Sequence, residues 1–170
     1  MLISKDLERA INAQIGREMG AAMQYVNIAS YFEADDMLHF ARLFFEQADE
    51  EYEHAMKFVR YVLDAGGQVA LPAIEQPRSD FKSADDAVGA ALGWEEDVTK
   101  QINVLMDTAV KEKDYLAQEF LGCLVNEQLE EVSKMRTIQG VLKRANGNLL
   151  MAETYVMGAM GTIEDVEGGA

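Results

Sequence analysis

Cysteine, proline and positive charge are scarce in this chain, and each shortage narrows what it can be. Among 170 residues there is one cysteine, Cys123, so no disulfide can close within the chain, which fits a reducing compartment. There are two prolines, Pro72 and Pro77, and nothing of their kind interrupts long helices elsewhere. Lysine and arginine number 15 against 30 aspartates and glutamates, a formal net charge of −15. That leaves no basic surplus to release counterions from a phosphate backbone, so nucleic acid is excluded as a partner. No apolar run approaches the roughly 18 residues of a membrane span. Lys5, Asp6, Glu8 and Arg9 leave no room for a secretory hydrophobic segment. A cytoplasmic chain with no membrane contact is the expectation. What is plentiful is apolar side chains, 49% of the total, enough for a packed core and too many for a solvated acidic coil. Cys123 and the ten methionines are expected to fill that core.

Apolar residues step by three and four along four segments, the period of amphipathic helices packed as a bundle. The breaks agree. Ala34-Asp35-Asp36 reads as a turn with Asp36 capping the second helix, and Gly66-Gly67 stops it. Ser83 with Asp86 opens the third, Lys113-Asp114 turns into the fourth, and Asn146-Gly147 ends it. Asn148 can cap a short fifth helix over 149–160 that is apolar nearly all round. Such a helix needs cover, from copies of itself or its neighbours, or else from its own bundle. One domain is expected over 1–160, followed by a disordered acidic tail over 161–170. Residues 66–81 look extended and could span roughly 50 Å, against roughly 42 Å for the second helix. The connection can therefore run the length of the bundle and set the third helix parallel to the second. The fold class expected is all-α, a four-helix bundle with one long crossover and a short fifth helix.

What interrupts the apolar seams carries the chemistry. Each has a glutamate where an apolar residue belongs: Glu18, Glu51, Glu95 and Glu131. Glu18 and Glu51 both fall about 23 Å from the first turn, and Glu95 and Glu131 about 26 Å from the second. Each antiparallel pair thus holds its two carboxylates at one depth; whether the pairs share a depth depends on the crossover. Four bare carboxylates in a bundle would repel one another and lose hydration. Two divalent cations balance their charge. His54 follows Glu51 by three and shares its face, adding an imidazole that favours iron, manganese or zinc over calcium. Tyr25 lies two turns along the stripe from Glu18, either as a core tyrosine or beside the metals. His39 has no such company and reads as structural or exposed.

Arg17-Glu18 with Tyr25 seven residues on, Glu50-Glu51-Tyr52-Glu53-His54, Trp94-Glu95, and Asn126-Glu127-Gln128-Leu129-Glu130-Glu131 occur in this order. In these stretches the chain resembles the ferritins over about residues 5–160, and among them the non-haem bacterial ferritins. The resemblance implies a ferroxidase centre in each subunit. Glu18, Glu51 and His54 would hold the first iron, and Glu51 would bridge to a second held by Glu95 and Glu131, with Gln128 close by. Tyr25 matches a tyrosine beside the centre, a candidate electron donor. Glu50, Glu127 and Glu130 match a third, weaker iron site on the cavity side. The implied reaction oxidises Fe(II) with dioxygen or peroxide, and the Fe(III) collects as a hydrated oxide in a hollow homo-oligomer of roughly 24 chains.

Two departures argue against haem. Where bacterioferritins carry a second Glu-x-x-His, this chain has Gln128 and Glu131, and where they carry a haem-binding methionine it has Tyr52. The acidic three-fold channel of animal ferritins aligns here with Gln118 and Leu121, which leaves the way in for iron open. A di-iron oxidase or peroxidase that stores nothing, and a silent shell subunit, are the alternatives.

Overall fold

A computed structural model of the chain describes residues 2–167, with side chains for residues 2–159. The helices are α1 (Lys5–Ala34), α2 (Leu38–Asp64), α3 (Ala84–Glu112), α4 (Tyr115–Ala145) and α5 (Leu149–Glu167). Two hairpins, α1 on α2 and α3 on α4, join through α1 and α3, and α5 packs on α2 and α4. Among the described residues no helix is long and apolar enough to cross a membrane.

Side chains close the exposed N–H groups at the helix starts. Ser4 Oγ accepts from the Leu7 N–H at 3.1 Å, Ser83 Oγ from Asp86 at 3.1 Å, Asp114 Oδ1 from Ala117 at 3.0 Å and Asn148 Oδ1 from Met151 at 3.2 Å. Gly66 ends α2 at φ 76, and the Gly67 N–H returns to the Val62 carbonyl at 2.8 Å. Asp36 does not cap α2. It takes a left-handed φ of 57, and the cap position falls to Met37, which has no side-chain hydrogen bond to offer. Glu153 of α5 substitutes: its carboxylate accepts from the His39 N–H at 2.6 Å and the Phe40 N–H at 3.3 Å, an anion at the positive end of α2.

The crossover follows α1 from one end to the other. Asn12 exchanges hydrogen bonds with the Gln68 carbonyl and the Ala70 N–H, both at 2.9 Å. More than three turns further along α1, Gln24 does the same with the Arg78 N–H at 2.8 Å and the Arg78 carbonyl at 2.9 Å. Residues 68–78 thus run in the direction of α1, and α3 starts where α1 ends, with Tyr31 against Phe81 at 5.6 Å between ring centres. That makes α3 parallel to α2. Pro72 is seated on Gly16, where a Cβ would lie 2.3 Å from the proline Cγ. Gly16→Ala is therefore expected to lower stability by about 1–3 kcal/mol through overpacking, against a helix-propensity gain of at most about 1 kcal/mol. Gly122→Ala, where an added Cβ meets nothing within 4 Å, is expected to leave stability unchanged or raise it. Denaturant unfolding of the two variants checks the contrast; equal midpoints would contradict it.

The core divides in two. One cluster gathers Ala21–Phe32, Met37–Ala48, Ala84–Ala91 and Met135–Ala145, with Ala152 and Val156 of α5. The other gathers the inward-facing apolar residues between Ile3 and Ile15, Ala55 and Ala65, Val98 and Ala109, and Ala117 and Leu124. The gap falls on all four helices where the seam glutamates stand, so the two hairpins present them at one depth.

Two expectations change. Cys123 is exposed, as are Met23, Met151 and Met157, because they face away from the seam. The fifth helix buries Ala152 and Val156 on its own bundle and leaves Leu150, Met151, Tyr155 and Met157 exposed. Its backbone continues past residue 160 to Glu167. Apart from that continuation, the tail expected over 161–170 lies outside the described residues.

Candidate metal centre

Helix geometry delivers the site from four directions. Glu18, Glu51 and Glu95 are almost without solvent contact and Glu131 nearly so, with 1%, 1%, 0% and 9% of their surface exposed. One carboxylate oxygen each from Glu18 and Glu51 and one imidazole nitrogen of His54 lie within 4.8 Å of one another, the spread a single metal ion can bridge. The i, i+3 spacing places His54 Nδ1 3.5 Å from Glu51 Oε1. The other ring nitrogen, Nε2, is 3.3 Å from Glu127 Oε2 on α4. Lys57 in turn holds Glu127, at 2.8 Å and 2.9 Å to its two oxygens.

Three oxygens in this half of the site have no hydrogen-bond partner: Glu18 Oε2 and both oxygens of Glu51. Only Glu18 Oε1 is satisfied, by Gln14 Nε2 at 2.8 Å. Buried carboxylates without partners are costly, and a divalent cation is the group that fits oxygens left open beside an imidazole. The electrostatics agree. Burial first, and then the Glu51 charge, push the Glu18 carboxyl well above the usual carboxylate range. Burial and then Glu95 do the same to Glu51.

The other half is differently prepared. Tyr25 is fully buried and its hydroxyl donates to Glu95 Oε1; burial and then the Glu95 charge hold its own pKa well above the ordinary phenol value. Gln128 Nε2 donates to Glu95 Oε2 at 2.9 Å, to the Glu95 carbonyl at 3.1 Å and to Thr99 Oγ1 at 3.3 Å. Glu131 lies 3.4 Å and 3.5 Å from Lys134 Nζ; burial raises its pKa, and the lysine offsets part of the rise. Glu95 and Glu131 therefore face the site with their oxygens already engaged. Glu50 and Glu127 pair with Lys134 and Lys57, and Glu130 is exposed beside them.

Lys134, Gln47, Gln14, Lys57 and Thr99 also line the site and were not among the residues expected there. Lys134 had a usable signal, since it follows Glu131 by three and shares its face. Thr99, which follows Glu95 by four, had the same. Gln47 and Gln14 each precede a seam glutamate by four and were open to the same reading.

A family model described as a ferritin-like domain matches residues 8–145. Ferritin BfrB of Mycobacterium tuberculosis is 39% identical over 143 residues, which span 84% of this chain and 79% of that protein. Bacterial non-heme ferritin of Staphylococcus haemolyticus is 35% identical over 143 residues, 84% of this chain and 86% of its own. Among solved structures, an open pore ferritin from Archaeoglobus fulgidus superposes with a TM-score of 0.88 at 34% identity, covering 91% of this chain and 96% of the other.

Proposed function

The chain belongs to the ferritin-like family, and on that premise we propose that it stores iron by oxidising Fe(II) at a di-iron centre inside each bundle. The observation that carries this reading is the convergence of Glu18, Glu51 and His54 with three partnerless buried oxygens. Fe(II) is the substrate. These three residues take the first ion, and Glu51 is shared with a second ion taken by Glu95 and Glu131 beside Gln128. Two Fe(II) give one electron each to a dioxygen, which takes up two protons and leaves as hydrogen peroxide; peroxide can serve as oxidant in turn. Tyr25, hydrogen-bonded to Glu95, passes an electron and a proton at the second position. Glu50, Glu127 and Glu130 receive a third ion more weakly. Fe(III) then collects as a hydrated oxide inside a homo-oligomeric cage of roughly 24 chains in the cytoplasm. Haem has no place in the reading, because Tyr52 and the Gln128–Glu131 pair stand where haem-type relatives differ.

The test is aerobic addition of Fe(II) to the purified metal-free protein, following Fe(III) absorbance and then the size of the particle that carries the iron. Rapid oxidation with iron eluting at the mass of a large cage is the expected result. Oxidation no faster than in buffer would overturn the ferroxidase reading. Oxidation by a small oligomer that retains no iron would replace storage with a non-storing oxidase.

A further inference from the structure

We propose that Lys134 is a resident cation of the second metal position. Its ammonium group lies between Glu131 and Glu50, and it must release Glu131 before a divalent ion can take that carboxylate at the second position. The inference rests on the reading of Glu131 as a ligand in the preceding section.

The geometry is that of an occupied cation position. Lys134 Nζ lies 3.4 Å and 3.5 Å from the oxygens of Glu131 and 3.5 Å from Glu50 Oε2, and it donates to Gln47 Oε1 at 2.9 Å. Glu131 and Lys134 come from α4, Glu50 and Gln47 from α2, so the ammonium bridges the two helices that flank the site. Gln47 makes this a built position rather than a chance surface pair. It is 1% exposed, and its Nε2 donates to Glu50 Oε2, which leaves Oε1 to receive the lysine. A buried amide thus spends its donor on the acid and its acceptor on the cation.

The two halves of the centre therefore differ before any metal arrives. At Glu18, Glu51 and His54 a divalent ion meets three open carboxylate oxygens and displaces no protein cation from them. At Glu131 it must break a lysine–carboxylate contact. The lysine side chain is one-third exposed and flexible, so it has water to move into. Competition of this kind lowers affinity at the second position. A substrate ion that must pass on toward storage gains from a position that does not retain it.

Zinc(II) titration by calorimetry tests this, since zinc binds the same donors without redox chemistry. Wild type, Lys134→Met and Lys100→Met would be compared as metal-free full-length chains. Lys100→Met removes the same charge from an exposed pair with Asp97. Two classes of zinc site are expected within the centre of the wild type, apart from the still weaker third position of Glu50, Glu127 and Glu130. Lys134→Met should tighten the weaker class about tenfold and leave the tighter class unchanged, while Lys100→Met changes neither. Anomalous diffraction from the Lys134→Met crystal should place the second zinc against Glu131 and Glu95. An unchanged weaker class in Lys134→Met, or equal tightening in Lys100→Met, would overturn the proposal. A wild type without the tighter class would contradict the centre at Glu18, Glu51 and His54, and the Lys134 comparison on the remaining class would still decide the role of the lysine. A wild type that binds no zinc at all would overturn both.

Discussion

Glu51→Gln should lower Fe(II) oxidation by about a hundredfold or more while making the metal-free protein harder to melt. The two effects have one cause. Glu51 is buried at 1% exposure, both its oxygens lack a hydrogen-bond partner, and Glu95, Glu131 and Glu50 all raise the cost of its charge. An amide of the same shape carries no charge, and its N–H can donate to the neighbouring Glu18 carboxylate. Removing one such buried, unsatisfied carboxylate is worth about 1–3 kcal/mol, or roughly 2–12 °C in melting temperature for a domain of this size. The loss of function follows from the same oxygens. Loss of an outer partner of a metal ligand already costs about ten- to a hundredfold, and Glu51 is the residue shared between both positions. Stopped-flow Fe(III) absorbance and thermal melting in the presence of a chelator measure the two effects on one sample. A variant that oxidises iron at the wild-type rate would remove Glu51 from the centre. A variant that melts below the wild type would mean that its carboxylate is satisfied without metal.

The sequence carried the bundle because helical period is local: Leu7, Ile11 and Ile15, or Val98, Ile102 and Leu105, reveal a buried face without reference to any partner. It carried the seam glutamates for the same reason, since an interruption is visible only against a regular stripe. Axial counting placed them at one depth within each hairpin. The depth shared by the two hairpins was not legible, because it depends on where the crossover binds α1. That is set by Asn12 and Gln24, whose side chains recognise backbone more than fifty residues away. The cap of α2 was missed for a related reason. Asp36 has the right residue type in the right place, but its left-handed backbone leaves the cap position to Met37, and the carboxylate used instead is Glu153, more than a hundred residues on. Lys134 and Gln47 are intermediate cases. Each shares a helix face with a seam glutamate, yet only the approach of α2 to α4 reveals that the lysine and the amide meet.

A divalent metal should raise the melting temperature of the protein, and by more at alkaline than at acid pH. Glu18, Glu51 and Glu131 have carboxyls whose pKa in the metal-free fold lies above the usual range, chiefly through burial. In the unfolded chain the same groups ionise near about pH 4.3. Between that value and their raised folded values the native state binds more protons than the unfolded state. Stability of the metal-free protein therefore falls as pH rises through this window. Metal binding needs the carboxylates ionised, so it releases those protons and strengthens over the same interval. At a free zinc concentration about a hundred times the dissociation constant, the gain is about 2.7 kcal/mol, or roughly 5–10 °C for a domain of this size. Melts at about pH 8 should show this rise, and melts at about pH 5 a clearly smaller one. Glu51→Gln should flatten the difference, because the group most strongly crowded by like charge no longer titrates. A zinc-dependent rise of equal size at both pH values would mean that the metal binds surface carboxylates, which are ionised at both, and not the buried set between the two halves of the core.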